Sequence, residues 1–139
     1  LVVLVWLGFF LAKGVKINKR VSAVKDVGVY DIKITLNVKN SGSEITDVKV
    51  YDRLPHVLLP SKEEFGTLKP ANIKKGKEGI LVAWEISGLK KGEERIISYK
   101  ARAKLGIVGS LALPSAVVQY TKNGKRKTVT SKKLAFRLG

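Results

Sequence analysis

The residue types that most often perform chemistry are few in this sequence, and their spacing is poor for catalysis. His56 is the single histidine, and there is no cysteine. No carboxylate stands at metal-ligand spacing from His56. Glu63-Glu64 and Glu93-Glu94 are adjacent pairs, and adjacent residues of a strand point to opposite faces, so neither pair can serve one substrate as general acid and base. We therefore expect an ordinary loop histidine, no catalytic site and no small-molecule substrate.

Two aspartates flank one predicted strand and are the best candidates for a cation site. Asp47 and Asp52 could bind Ca²⁺ together with loop carbonyls, but a calcium site needs more acidic ligands than this stretch contains. A capped turn or pairing with Lys or Arg is the favoured interpretation. We expect no metal and no cofactor.

Positive charge dominates the chain, with 27 Lys and Arg against 11 Asp and Glu and a net charge of +16. Such a field attracts anionic lipid, acidic glycan or nucleic acid. The alternative is a lysine-coated surface that stays soluble by self-repulsion. The predicted basic surface comprises Lys100, Arg102, Lys104, Lys122, Lys125, Arg126, Lys127, Lys132 and Lys133. A basic hairpin can grip phosphates, but only Tyr120 supplies an aromatic ring beside it, so nucleic acid is not favoured as a partner.

An apolar run opens the sequence and predicts an attachment segment over residues 1–14. As a helix, residues 1–12 would be about 18 Å long, well short of a hydrocarbon core of roughly 30 Å. The same residues are rich in β-branched and aromatic types, so an extended donor strand is equally consistent with them. The predicted attachment residues are Leu1, Val2, Val3, Leu4, Val5, Trp6, Leu7, Phe9, Phe10 and Leu11.

The remaining chain has the two-residue periodicity of half-buried strands. Apolar and polar residues alternate over 30–39, and similar patterns recur further along. Asn123-Gly124 is a strong hairpin signal, because both central residues of a type I′ turn need positive φ. The predicted strands are 15–24, 30–39, 46–53, 80–87, 97–104, 116–122 and 126–138.

About seven short antiparallel strands predict an all-β fold, an immunoglobulin-like antiparallel β-sandwich over residues 15–139. The proline-rich stretch 54–79 is expected to cross between the sheets as an irregular connection, with room for one short strand. Without cysteines, the core must rest on apolar packing around Trp84 and Tyr99. Abundant lysine, one glutamine and no methionine or cysteine indicate a hyperthermophilic source.

Several stretches together resemble a known family. They are VKNSG, VKVYDRLP, GLKKGEERIISYKARA and LPSAVVQY, with Trp84 between the second and third. They resemble the conserved Ig-like repeat domain of archaeal and bacterial cell-surface proteins, over about residues 15–137. The matching positions are Asn40, Gly42, Asp52, Pro55, Gly92, Tyr99 and Pro114. The resemblance implies an extracytoplasmic, non-enzymatic spacer or adhesion module, and it brings no catalytic residues with it.

Two functions follow from these features. In the first, the chain is a structural subunit of an extracellular filament, such as a pilus, or of a cell envelope. Its apolar segment then packs into neighbouring copies of the same protein. In the second, the segment is the end of a transmembrane helix that holds an Ig-like module near acidic lipid or glycan. Lys13, Lys16, Lys19 and Arg20 would then bias this side towards the cytoplasm, whereas the resemblance places the domain outside.

Overall fold

The computed structural model describes residues 14–65, 68–104 and 109–138. The attachment segment predicted over 1–14 lies outside this part of the chain except for its last residue. The described elements are all strands: β1 (Val15–Asp26), β2 (Val29–Asn40), β3 (Ile45–Leu54), β4 (Leu59–Phe65), β5 (Asn72–Gly76), β6 (Gly79–Leu89), β7 (Glu94–Lys104), β8 (Gly109–Leu113), β9 (Val117–Lys122), β10 (Lys125–Thr130) and β11 (Leu134–Leu138).

These strands form two main antiparallel sheets and a small ribbon. One sheet has the order β1-β2-β7-β4, the other has the order β10-β9-β3-β6-β5, and β11 pairs with β8. The chain passes from one of these three units to another after β2, β3, β4, β6, β7, β8 and β10. The predicted all-β antiparallel sandwich is confirmed, and the seven predicted strands correspond to β1, β2, β3, β6, β7, β9 and β10.

The structure adds four short strands that the periodicity did not separate. The connection predicted over 54–79 contains two strands, β4 and β5, which border opposite sheets. The strand predicted over 126–138 is broken after β10. There Ser131 is buried, and its hydroxyl accepts a 2.8 Å hydrogen bond from the amide of Ala116. The amide of Ser131 also donates to the carbonyl of Ala116 at 2.9 Å. After Ser131 the chain leaves β9, and β11 pairs with β8.

The core lies between the two sheets and follows the predicted alternation. In β2, every second residue from Tyr30 to Val38 is buried. Trp84 of β6 has no exposed area, and its ring centroid lies 5.3 Å from that of Tyr99 on β7, at a tilt of 52°. Because the rings come from different sheets, this pair joins the two layers. The prediction that Trp84 belongs to the core is confirmed.

One local signal in the sequence folds as expected, and two further features are new. Asn123 and Gly124 have φ values of 51° and 73°, as a type I′ hairpin requires. Asn40 is buried at the end of β2, where its amide group donates to the carbonyl of Leu89 at 3.0 Å. Asp47 has a φ of 48° in a bulge of β3. Such a bulge has no clear sequence signature, since it depends on pairing with two neighbouring strands.

Candidate functional site

The predicted attachment residues, from Leu1 to Leu11, lie outside the described part of the chain, so their role stays a prediction. Within residues 14–65, 68–104 and 109–138, no helix is long and apolar enough to cross a membrane.

The predicted basic surface is divided between the two sheets. Lys100 and Arg102 lie on the outer face of the four-stranded sheet. At the edge of the five-stranded sheet are Lys122, Lys125, Arg126 and Lys127, which belong to the β9–β10 hairpin, and beyond it are Lys132 and Lys133. The side chain of Lys104 lies outside the described part of the structure. The positive charge of the C-terminal half is therefore spread over both sheets.

The outer face of the four-stranded sheet instead gathers basic residues from both halves of the sequence. Lys33 on β2 lies directly opposite Lys100 on β7, and Lys16 on β1 lies opposite Lys39 on β2. Like charges placed directly opposite one another are unfavourable in a sheet. Arg102 Nε lies 3.4 Å from Asp31 Oδ1, and this ion pair offsets part of the positive charge of the face. We call this surface the cationic face, and its members are Lys16, Arg20, Lys33, Lys39, Lys100 and Arg102.

The remaining sequence candidates have structural roles. His56 is exposed, and its Nε2 lies 3.0 Å from the carbonyl oxygen of Lys77. Glu93 accepts a 2.9 Å hydrogen bond from the amide of Lys90 in the β6–β7 turn. Asp47 pairs with Arg126, whose Nη1 lies 3.2 Å from a carboxylate oxygen. Of the two interpretations favoured for Asp47, a capped turn or pairing with a basic residue, the structure shows the pairing.

A buried network of three side chains joins the two sheets, and we call it the buried triad: Lys19, Asp52 and Tyr99. Lys19 of β1 donates from Nζ to Asp52 Oδ1 of β3 at 2.5 Å. The same Nζ donates to the carbonyl oxygen of Pro114 at 3.0 Å. Tyr99 of β7 donates its hydroxyl to the other carboxyl oxygen, Oδ2. The side chains of Lys19 and Asp52 have no exposed area.

The surroundings of the triad disfavour ionisation of its acidic members. Burial raises the pKa of Asp52 above its ordinary value of 3.8, although the charge and hydrogen bond of Lys19 act in the opposite direction. Burial also raises the pKa of Tyr99 well above its ordinary value of 10.0, and the neighbouring Asp52 carboxyl adds to this shift. The Tyr99 hydroxyl therefore keeps its proton and remains a hydrogen-bond donor.

Sequence reasoning found Asp52 and Tyr99 but not their partner. For Asp52 too, the structure shows pairing with a basic residue, one of the two interpretations favoured from the sequence. The sequence places Lys19 only among the basic residues that follow the apolar segment, and the structure shows that its side chain enters the core. A signal was present, since Lys19 stands at an inward position between Ile17 and Val21, where a strand normally carries an apolar residue.

A shallow groove crosses the outer face of the five-stranded sheet. The half-buried ring of Tyr51 and the side chain of Leu81 line two adjoining cavities of about 220 and 380 Å³. We call this surface the Tyr51 groove, and its polar rim includes Lys49, Arg53, Lys74 and Gln119. Arg53 also forms an exposed ion pair with Glu78, in which Nη1 lies 2.6 Å from Oε2. An aromatic ring beside cationic and amide groups can bind a polar, negatively charged ligand.

No group of three or more His, Cys, Asp or Glu in the described residues is placed to hold a metal ion.

Comparisons with known proteins identify the fold and no family. No protein-family model matches the sequence. A search of curated proteins gives no match either. Two solved structures of the GH20 exo-β-N-acetylglucosaminidase from Vibrio harveyi are similar to this chain, with TM-scores of 0.55 and 0.54 and 5% identity. Each match covers 83% of this chain and 17% of the enzyme, so the chain spans a small part of that protein. A chitin-binding domain of Chi18aC from Streptomyces coelicolor matches with a TM-score of 0.44 and 10% identity, over 74% of this chain and 90% of that domain.

Proposed function

We propose that this protein is a non-enzymatic structural module at the cell surface, a subunit of an extracellular filament or envelope layer. The buried triad is the observation that carries the proposal. Its amine, carboxyl and hydroxyl are enclosed in the core, out of reach of an external substrate, and they join one sheet to the other. A sandwich built this way resists separation of its layers, which is what a load-bearing module needs.

The apolar segment supplies the proposed means of assembly. Burying its large side chains against a neighbouring copy would contribute about 1.5–3 kcal/mol for each of them. Such a segment could add a strand to the next sandwich or pack as a helix in a filament core. The resemblance to Ig-like surface repeats supports the extracellular location.

Charge makes the proposed assembly testable. Identical subunits with a charge of +16 repel one another, and salt screens this repulsion. Assembly of the full chain should therefore strengthen with salt, whereas binding to an anionic membrane should weaken. The measurement is sedimentation without detergent across roughly 0.05 to 0.5 M salt, with negative-stain imaging of the pellet. We expect filaments or sheets at the higher salt concentrations.

Matched variants distinguish the contribution of the apolar segment to assembly from that of the sandwich domain. Trp6→Glu/Phe9→Glu should abolish sedimentation and leave the far-UV circular dichroism of the sandwich unchanged. Val24→Glu is the control, since it makes the same kind of change at an exposed position of β1. Protein that stays monomeric at every salt concentration and pellets only with anionic vesicles would contradict assembly and support the membrane-anchored alternative.

A second candidate function is binding of an acidic glycan at the Tyr51 groove. Sugar rings stack on aromatic side chains, and Lys49, Arg53 and Lys74 supply positive charge around Tyr51. Titration with a uronic-acid oligosaccharide should give saturable binding that Tyr51→Ala weakens at least tenfold. Thr35→Ala on the outer face of the other sheet should have no effect. Equal binding by both variants would assign the interaction to bulk charge.

A further inference from the structure

The buried triad places an amine against a carboxyl in a setting from which water is excluded. Lys19 Nζ and Asp52 Oδ1 are 2.5 Å apart, and neither side chain reaches the surface. Two opposite charges buried in this way lose much of their hydration energy, and their mutual attraction often fails to offset the loss. A state in which both groups are uncharged would therefore avoid this cost of burial.

Proton transfer gives such a neutral pair directly. The short contact between Nζ and Oδ1 is the path along which an ammonium proton can pass to the carboxylate. The product is an uncharged amine beside a carboxylic acid. Burial of Asp52 favours this protonated form of its carboxyl. An uncharged amine is a nucleophile, and the carbonyl carbon of a protonated carboxyl is its natural target.

We propose that Lys19 and Asp52 condense into an intramolecular amide that covalently joins β1 to β3. The Lys19 nitrogen attacks the Asp52 Cγ, so that a bond forms between Nζ and Cγ. The bond between Cγ and Oδ1 then breaks. Oδ1 leaves as water, carrying the proton it held as an acid and one proton from the nitrogen. No oxidant, reductant or further reactant is needed.

Tyr99 is positioned to assist this reaction. Its hydroxyl donates to Oδ2, the oxygen that carries negative charge when Cγ becomes tetrahedral and that remains as the amide oxygen afterwards. A preorganised donor aimed at a developing oxyanion lowers the barrier to acyl transfer. Because burial and Asp52 raise the pKa of Tyr99, this donor retains its proton.

The same surroundings suit the product better than the starting pair. The carbonyl of Pro114 accepts a hydrogen bond from Nζ at 3.0 Å and can accept one from the amide N–H after condensation. Tyr99 would continue to donate to the amide oxygen. The neutral amide would thus have partners for both its donor and its acceptor, without the cost of burying two charges.

The covalent bond would link the four-stranded sheet to the five-stranded sheet, since β1 and β3 belong to different layers. This inference concerns the sandwich itself and does not depend on where the protein works or whether it assembles.

Mass spectrometry of the denatured full chain tests the inference directly. We expect a mass lower than the sequence mass by one water molecule. Trypsin should fail to cleave after Lys19, and a branched peptide should contain both Lys19 and Asp52. A mass equal to the sequence mass after prolonged heating of the folded protein would overturn the proposal. So would a water loss that peptide mapping places at another residue.

Four variants identify the reacting groups. Lys19→Arg and Asp52→Ala should both restore the mass calculated from their sequences. Asp52→Asn should still condense, but with loss of ammonia in place of water, because the leaving group changes. Tyr99→Phe should slow cross-linking about 100-fold, the loss typical for one donor to an oxyanion. Cross-linking of the Tyr99→Phe variant at the wild-type rate would remove Tyr99 from the mechanism, and loss of water in Lys19→Arg would refute the assignment of the amine.

Discussion

Without the Lys19 amine, the Asp52 carboxyl should destabilise the domain increasingly as pH rises above about 4, the reverse of the usual contribution of a carboxyl to acid denaturation. Lys19→Met keeps a stem of similar length but leaves the Asp52 carboxyl buried beside Tyr99 alone. The charge and hydrogen bond of Lys19, which lower the pKa of Asp52, are then lost, and burial raises this pKa against only the hydrogen bonds of Tyr99 and of the Arg53 backbone. The reference is Lys19→Met/Asp52→Asn, which has the same shape and no carboxyl at this position. Neither protein can form the cross-link by way of Lys19, so the comparison isolates the carboxyl.

The size of the effect follows from proton linkage. Below the ordinary pKa of 3.8, the carboxyl is protonated in both the folded and the unfolded chain. As pH rises further, the unfolded chain releases its proton while the folded chain retains it. The free energy of unfolding of Lys19→Met should therefore fall relative to the double variant by about 1.4 kcal/mol per pH unit, until the raised pKa is reached. At pH 7 the ceiling is about 4 kcal/mol, which is comparable to the usual cost of breaking a buried ion pair.

Guanidinium titrations followed by far-UV circular dichroism, at several values from about pH 4 to about pH 7, measure the difference. The two variants should have similar stability at the acid end and diverge as pH rises. All other carboxyls are common to both proteins and cancel. A gap that stays constant across this range would mean that the Asp52 carboxyl is hydrated in the folded protein, and the account of the buried triad would be wrong.

Three further outcomes test the fold. Trp84→Ala should lower the free energy of unfolding by about 3–5 kcal/mol, as for other large-to-small core changes, and Ile96→Ala at a half-exposed site should cost far less. A loss below about 1 kcal/mol in a denaturant titration of Trp84→Ala would contradict its placement in the core. Deletion of residues 1–12 should leave a folded, heat-stable monomer, and an unfolded far-UV spectrum would show that the segment completes the sandwich. Gly124→Ala should cost about 1 kcal/mol through its positive φ alone. Gly79→Ala should cost more, since its added Cβ would lie 2.2 Å from a backbone carbonyl oxygen, and equal losses in a thermal melt would contradict this difference.

The main strands could be predicted because each is identified by a pattern of neighbouring residues in the sequence. Alternation over 30–39 identifies β2 and its buried face without knowledge of its neighbours. Asn123-Gly124 locates a hairpin, since few other dipeptides accept positive φ at both positions. The short strands β4 and β5 could not be separated in the same way. Both are edge strands whose pairing depends on β7 and β6, and prolines and lysines obscure their alternation.

The buried triad could be predicted only in part, because its members are far apart in the sequence. Pairing of Asp52 with a basic residue was one interpretation of the sequence, but the chain has 27 Lys and Arg residues, and the sequence does not show which of them is the partner. An inward-facing charge in a single strand can also mean that the strand ends or turns outward. Only the alignment of β1 with β3 across the sandwich makes Lys19 the partner.

That alignment gives the triad a role that apolar packing cannot fill. The core is formed largely of Ile, Val and Leu, and burial of apolar surface is non-directional, whereas the contacts of the triad require particular partners. A shift of β1 by one residue would place Lys19 on the outer face and expose its apolar neighbours. A shift by two residues would keep the apolar pattern but separate Lys19 from Asp52, leaving two buried charges without partners, at a cost of several kcal/mol. We therefore interpret the triad as the feature that selects one register between the sheets, and an amide at this position would make the selection permanent.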